Sequence, residues 1–529
     1  MPTDCISYQH SGYFSALMND YLDQKPQLSA LYNRFPALEN FEEQIAEKQN
    51  NFNHSSRAVL VEALLQQYNN CETSEATNAN IKSLASNNTF TITTGHQLNL
   101  FTGPLYFLYK IISTINLTKK LQSKYPEQHF VPVYWMATED HDFEEINYFN
   151  FKGKKFRWNQ ESTGPVGRLS TEGLNEFFEV YQLELGSSSN ATVLKNLFED
   201  AYIKHNNLAD ATRYLANELF GAYGLVIIDA DSASLKRLFI PHIEQELLQQ
   251  TAFEKVTASI ALLKEYTVQV NPREINLFYI ENDLRERIIL EEGIYKVNHT
   301  KISFSETEIL ALLESNPEKF SPNVIMRPLY QEVILPNLCY IGGGGEIAYW
   351  LELKSYFEAS NITFPMLLLR NSVVLASEKQ AKKADKLQLS WTDLFKKQAD
   401  LINQKTIELS EFSVELTDLK AQLQKQFKQL YDIAEKTDES FIGALKAQET
   451  KQIKGLQQLE KRLLKAQKRN LSDVLERISD IQNELFPNGS LQERQTNFSE
   501  FYLEYGDNLI PNLIQKLDPL DTKFDIIVL

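Results

Sequence analysis

The sequence predicts an α/β protein with a largely parallel sheet, inserted β-rich segments and a long antiparallel coiled-coil hairpin. Three observations carry that expectation. Short apolar runs alternate with amphipathic helical patterns through the first 370 residues, which is how buried parallel strands and their crossover helices read. Two stretches instead alternate polar and apolar residues at period two. Finally, between Pro365 and Pro487 there is no proline, and only Gly443 and Gly455 interrupt the chain.

The expected strands are Phe90-Thr93, Phe130-Met136, Leu225-Asp229, Leu338-Ile341 and Pro365-Leu369. Asn150-Trp158 with Gly164-Leu169 is expected to form one antiparallel hairpin. Tyr266-Val270, Ile275-Ile280, Arg285-Leu290 and Ile294-Val297 are expected to form another group, both covering the working edge of the sheet. In the proline-free stretch Leu409, Phe412, Leu416, Leu419, Leu423, Leu430 and Ile433 follow three- and four-residue steps, with Gln426 filling one slot. That is a heptad seam. Lys436-Thr437-Asp438-Glu439-Ser440 offers a turn with Asp or Ser as helix cap. Leu456, Leu459, Leu463 and Ala466, then Leu471, Val474, Ile478, Ile481 and Leu485, supply the return. Two helices of about 70–85 Å follow at about 1.5 Å per residue. The arm either closes on itself or pairs with a second copy. The division expected is a core of residues 1–375 plus 487–529, whose final strand is Phe524-Leu529, and an arm of residues 376–486.

Composition narrows the function classes. The 529 residues hold 53 Lys+Arg against 70 Asp+Glu, a net charge of −17, with 43% hydrophobic residues. A pI near 5.1 opposes nucleic-acid binding, which needs clustered cations, and opposes adsorption to anionic membranes. The arm is close to neutral, with 20 basic and 18 acidic residues, so the acidity belongs to the core. Its run from Lys451 to Arg469 reads as solvated coiled-coil flank. Three scattered cysteines show no metal or disulfide spacing, and no apolar run reaches membrane-span length. The expected setting is the cytoplasm.

In an open α/β sheet, ligands bind beyond the carboxyl ends of the strands. Four segments fall there. In Thr94-Pro104, Gly95 and Gly103 permit close backbone approach, and Gln97, Asn99 and Thr102 offer polar contacts. His96 can meet phosphate charge or move a proton. The same loop also serves as a plain strand-to-helix connection. In Trp135-Glu145, the acidic residues Glu139, Asp140, Asp142, Glu144 and Glu145 surround His141. Such a group can bind a divalent ion, capture an amine, or hold His141 as a base; a charged helix start is the bland reading. Asp229 and Asp231 end a strand, where they can hold hydroxyls, a metal or an amine, or cap a helix. In the fourth, Arg327 and Gln331 precede Cys339, Gly342, Gly343, Gly344, Gly345 and Glu346. Glycines before a helix can wrap an anion, although this is neither a Walker A nor a GxGxxG pattern. Arg370 and Asn371 follow the next strand, and Cys339 reads as a buried, inert thiol.

TTGHQLNLFTGPLY at Thr93-Tyr106, VYWMATEDHDFEEIN at Val133-Asn147 and RPLYQEVILPNLCYIGGGGEIAYW at Arg327-Trp350 resemble the BshC family, cysteine-adding enzymes of bacillithiol biosynthesis. The order of parts agrees over essentially the whole chain, including Leu491-Gln492-Glu493-Arg494 before the last strand. The resemblance implies a Rossmann-like core similar to class I synthetases and nucleotidyltransferases, and a coiled coil that makes a homodimer. It implies a ligase that joins L-cysteine to the amine of glucosaminyl-malate as the last step of the pathway. Amide formation from a free carboxylate is uphill in water, so activation is expected, and chemistry and fold analogy make ATP with Mg2+ the candidate for it. On that reading Gly95-Gln97 and Gly342-Gly345 cradle anionic groups, and Arg327 and Arg370 pair with malate or phosphate. Glu139-Asp142 receive the amine or a metal. The catalytic candidates are His96, Asp140, His141 and Asp142, with His141 or Asp142 as base. At His96 the chain departs from the Gln of many relatives, which points to hydrogen bonding there. Two alternatives stand beside this: a nucleotidyltransferase-like enzyme on another small molecule, and a coiled-coil interaction protein with a ligand-sensing module.

Overall fold

The computed structural model describes residues 3–437 and 439–529. The chain forms two compact units, Met1–Val374 with Gln492–Ile527, and Leu375–Leu491 with Val528–Leu529.

The first unit is built on five parallel strands: β1 (Thr89–His96), β2 (His129–Met136), β3 (Val226–Asp229), β4 (Asn337–Gly342) and β5 (Met366–Leu369). Their spatial order is β5-β4-β1-β2-β3. All five are almost wholly buried, which is why they read as continuous apolar runs rather than alternating ones. Phe90 and Ile92 of β1, Phe130 of β2 and Leu338 of β4 pack in one cluster with Leu117 and Leu121 of the crossover helix Tyr106–Lys124. Register aligns His96 with Met136, Met136 with Asp229, and Gly342 with Leu369, so the strands end along one edge. From β1 the chain steps to β2 and β3 on one side, then to β4 and β5 on the other. The crevice between β1 and β4 is therefore the reversal point at which such sheets bind ligands.

Two insertions build over that edge. Tyr148–Phe151 pairs with Lys154–Arg157 as a hairpin. The expected partner Gly164-Leu169 is not a strand; Val166–Arg168 is a 3-10 turn. Val166 and Gly167 donate their N–H groups to the carbonyls of Asp140 and Thr138, at 2.7 and 2.8 Å, and so brace the loop after β2. The second insertion is an antiparallel five-stranded sheet centred on Leu277–Glu281 and Leu284–Glu291. Tyr266-Val270, expected in it, is an unpaired extended segment. Glu352 accepts from the amides of Gln269 and Val270, at 2.8 and 3.4 Å, so a side chain replaces the ladder.

The C-terminal strand Lys523–Val528 does not rejoin the parallel sheet. It runs antiparallel to Asp4–Ser7 and lies between that strand and Ser372–Ala376. Asp525 on this strand is buried, and burial, with Asp521 and Asp518 nearby, pushes its carboxyl up to about 7; Asn371 and Lys523 oppose the shift. The folded form thus holds a proton that the unfolded chain releases near pH 4. Stability contributed by the neutral form falls as pH rises through that window, by on the order of 4 kcal/mol. Asp525→Asn should raise the melting temperature at pH 8 and leave it unchanged at pH 4. Equal shifts at both values in thermal melts would contradict this.

The second unit is helical, but its limbs are not continuous rods. The outgoing limb comprises Gln398–Glu408 and Thr417–Ala434, and the returning limb Glu439–Asn470 and Ser472–Leu485. Leu409 and Phe412 fall in the non-helical link, where Glu460 accepts from the Leu416 amide (2.9 Å) and from Lys420. The 32-residue helix spans about 48 Å. Phe427, Ala434 and Leu445 are buried together with Leu423, Tyr431 and Ile442 against them. This seam is rotated from the expected one, and Leu419, Leu430 and Ile433 lie exposed. The expected cap at Asp438 lies outside the described residues. Among the described residues no helix is long and apolar enough to cross a membrane.

Candidate active site

A cavity of about 930 Å³ opens beyond the carboxyl edge of the sheet, centred where β1 and β4 diverge. Seven cationic side chains line it against four carboxylates, Glu139, Asp140, Glu145 and Glu346. The balance is the reverse of the net charge of the chain.

At the floor, Gly95 lets β4 approach: an added Cβ would sit 3.1 Å from the Tyr340 hydroxyl and 3.8 Å from Arg327 Nη1. Arg327 donates to Gln331 Oε1 (3.1 Å) and the Tyr349 hydroxyl (3.2 Å), within 6.0 Å of the ring centres of Trp135, Tyr340 and Trp350. It has no carboxylate partner among the described residues. Lys110, buried in the crossover helix, donates to Gly95 O (2.6 Å) and pairs with Glu346 at 2.5 Å. Burial would raise the Glu346 carboxyl, yet Lys110 and the Gly343 amide hold it below the usual range. His96 lines the same floor, 7% exposed, and its Nε2 has no partner. Burial, then Lys110 and Arg370, push its pKa well down, so it is a neutral imidazole and no proton shuttle near neutral pH.

At the other end, Gln97 Nε2 bridges Asp140 Oδ2 (2.9 Å) and Glu145 Oε2 (2.8 Å). Neither carboxylate has a Lys or Arg partner among the described residues. His141 faces the cavity, and its Nδ1 accepts from Arg285 Nη1 at 2.7 Å. Burial and Arg285 lower its pKa against the pull of Asp140, Asp142 and Glu286.

Several residues expected at the site are occupied elsewhere. Glu139 lines the cavity but pairs with buried Lys236, and Asp231 is bound by Arg168 at 2.7 Å. Asp229 accepts from Thr138, and burial followed by Asp231 raises its carboxyl. Asp229 and Asp231 thus brace the loop after β2 from behind rather than hold a ligand. Asp142 is exposed and outside the cavity lining, which removes it as a candidate base. After Gln97 the chain turns away. Asn497 Nδ2 donates to Phe101 O (2.8 Å) and Gly103 O (2.6 Å), Phe101 sits among Phe198 and Phe498, and Asn99 donates to the Glu145 carbonyl. Asn99, Thr102 and Gly103 are therefore structural. The glycine run is not an open amide cradle, because the Gly343 amide is taken by Glu346 Oε2 at 2.9 Å and Gly344 packs on Phe14 and Met18. Gly343 and Gly345 line the cavity; Gly342 and Gly344 do not. Gln331 supports Arg327, and Asn371 binds Ser113 and the Asp518 carbonyl. Arg370 lines the wall with its guanidinium held by Glu493, at 2.7 Å. Cys339 is buried, and burial drives its thiol pKa well up, which suits an inert residue.

Lys110, Arg285, Arg287, Arg273 and Arg494 escaped the sequence reading. Arg285 lies on an inserted strand that read as sheet cover, and Lys110 on a helix that read as core. For Lys110, Arg285 and Arg287 the one available signal was a cation in an otherwise apolar or half-buried element; Arg273 and Arg494 gave none.

A doubly wound sheet whose switch-point cavity is lined by both arginines and carboxylates, with Arg327 lacking a carboxylate partner and Asp140 and Glu145 lacking a Lys or Arg partner among the described residues, defines a Rossmann-like enzyme site for small, charged substrates. The family profile described as "Bacillithiol biosynthesis BshC, N-terminal Rossmann-like domain" matches residues 1–371, and that of the "C-terminal coiled-coil domain" matches residues 373–529. Relatives carrying the name "Putative cysteine ligase BshC" include one from Flavobacterium johnsoniae, 71% identical with all of both chains covered. One from Flavobacterium psychrophilum is 64% identical over 100% of this chain and 99% of its own, and one from Bacillus cereus is 27% identical over 96% and 97%. The chain belongs to the BshC family of bacillithiol biosynthesis.

Proposed function

We propose that the chain is a ligase that joins L-cysteine to the amine of glucosaminyl-malate, the last step of bacillithiol synthesis. The observation that carries this reading is the mixed charge of the cavity, which offers both a free guanidinium and free carboxylates. Arg327, without a carboxylate partner among the described residues, suits the malate carboxylates or a phosphate chain, since arginine forks onto such oxygens. Asp140 and Glu145, bridged by Gln97, suit an ammonium group. The cysteine carboxylate needs activation, because amide formation from it is uphill in water. ATP would supply this by adenylating or phosphorylating it, releasing pyrophosphate or ADP. Mg2+ would arrive on the phosphates and needs only one or two carboxylates, for which Asp140 and Glu145 are the free ones. Arg370, occupied by Glu493, shapes the wall rather than binding substrate.

Purified protein incubated with cysteine, glucosaminyl-malate and ATP should yield the cysteinyl product together with AMP or ADP by mass spectrometry. Product without nucleotide turnover would remove ATP from the scheme. Nucleotide turnover that requires a different amine or acid would favour the nucleotidyltransferase-like reading, and no turnover at all the ligand-sensing one. The free, unpaired cysteines fit a cytoplasmic setting. We also propose a homodimer through the helical unit, because Leu419, Leu430, Ile433, Phe441 and Leu459 leave apolar surface exposed on it. Light scattering on Leu430→Glu/Ile433→Glu should give half the mass of the parent; a parent already monomeric would rule the dimer out.

A further inference from the structure

We infer that His141 serves as a neutral hydrogen-bond donor, through Nε2–H, to the substrate oxygen that gains negative charge, and that Arg285 is the positioning residue that fixes this tautomer. The inference rests on the function proposed above. A neutral imidazole has one donor and one acceptor nitrogen, whereas a guanidinium only donates. With Arg285 Nη1 2.7 Å from His141 Nδ1, the lone pair must lie on Nδ1 and the proton on Nε2. Protonating Nδ1 would set an N–H against the guanidinium and lose that bond. The nitrogen a base would use is already committed.

The clamp is built to hold. Arg285 projects from the strand Leu284–Glu291, its Cζ 3.9 Å above the Phe278 ring, and its Nε donates to Ser321 Oγ at 3.3 Å. The His141 amide donates to Asp140 Oδ1 at 2.7 Å, which fixes the backbone that carries the ring. His141 Nε2 has no hydrogen-bond partner among the described residues, and the residue lines the cavity. Asp140, Asp142 and Glu286 are the acidic groups that face the ring, and Arg285 is the cation in contact with it. In the amide-forming step the amine nitrogen bonds to the activated carbonyl carbon and the bond from that carbon to the phosphate oxygen breaks. The carbonyl oxygen carries negative charge in between, and the amine proton leaves to water through the open mouth. His141 Nε2–H meets that charge without itself gaining or losing a proton.

The full chain labelled with 15N-histidine tests this by long-range 1H–15N correlation, with His141→Gln identifying the signal. Expected are an unprotonated Nδ1 and a protonated Nε2 in the parent, and a mixture of the two tautomers in Arg285→Gln. A protonated Nδ1, or the same single tautomer kept in Arg285→Gln, overturns the positioning role. Turnover of cysteine, glucosaminyl-malate and ATP tests the donor. His141→Ala should lower kcat about 10²- to 10³-fold, the usual cost of one such donor, while His141→Gln, which keeps an N–H, retains about a tenth or more. Native turnover matched by His141→Ala overturns the donor role, as does a His141→Gln variant no better than His141→Ala. No native turnover overturns the function proposed above and the donor role with it, while the tautomer measurement still decides the clamp. His141 is exposed, and thermal melts of each variant check that the fold is kept.

Discussion

Arg327→Gln should lower kcat/KM for the cysteine-joining reaction about 10³-fold. Of the five guanidinium N–H groups, two are engaged among the described residues, by Gln331 and Tyr349. The rest remain for an anion at the floor of the cavity. A charge-assisted hydrogen bond contributes about 1.5–3 kcal/mol, so losing a forked pair costs about 3–5 kcal/mol, or roughly three decades in rate. Arg327→Lys should fall nearly as far, because a point charge cannot reproduce the fork or the stacking within 6.0 Å of Trp135, Tyr340 and Trp350. Steady-state kinetics with each substrate varied would show which one Arg327 holds. A loss under tenfold in both variants would exclude it from anion binding.

Glu493→Ala should destabilise the first unit by about 3–5 kcal/mol. The carboxylate is 1% exposed and accepts from Arg370 Nη1 (3.1 Å) and Nη2 (2.7 Å), the Val373 amide (3.0 Å) and Ser372 Oγ (3.4 Å). Its removal leaves a guanidinium in the interior with its charge uncompensated, which costs far more than the pair contributes when intact. Arg370→Met/Glu493→Leu should recover most of the loss, since an apolar pair of similar volume bears no desolvation penalty. Urea unfolding, with hydrogen exchange of β5 as the local probe, measures both. A double variant no more stable than Glu493→Ala would show that the partners contribute independently.

The five central strands were legible because a strand buried on both faces must be apolar throughout, and Phe90, Ile92, Phe130 and Leu338 announce it. The three motifs were legible as site-forming because they follow strand ends. Hairpin membership was less so: Gly164-Leu169 and Tyr266-Val270 have strand composition, but their amides go to the carbonyls of Thr138 and Asp140 and to the Glu352 carboxylate. Heptad spacing revealed a helical arm but not which stripe packs inside, because Leu419 and Leu423 differ by little in pattern while Phe427 and Ala434 decide the contact.

By itself the sequence determined that this is a parallel α/β protein with a helical arm, and that its chemistry gathers at the ends of β1, β2 and β4. Only the tertiary structure decided which charges are free. Glu139, Asp231 and Arg370 are spent on Lys236, Arg168 and Glu493, partners 63 to 123 residues away for the last two, whereas Arg327, Asp140 and Glu145 are left to meet a ligand. A charged side chain in a motif looks the same in either case. Whether it binds substrate or braces the fold depends on an ion-pair partner that local spacing does not reveal and that packing alone brings within 3 Å.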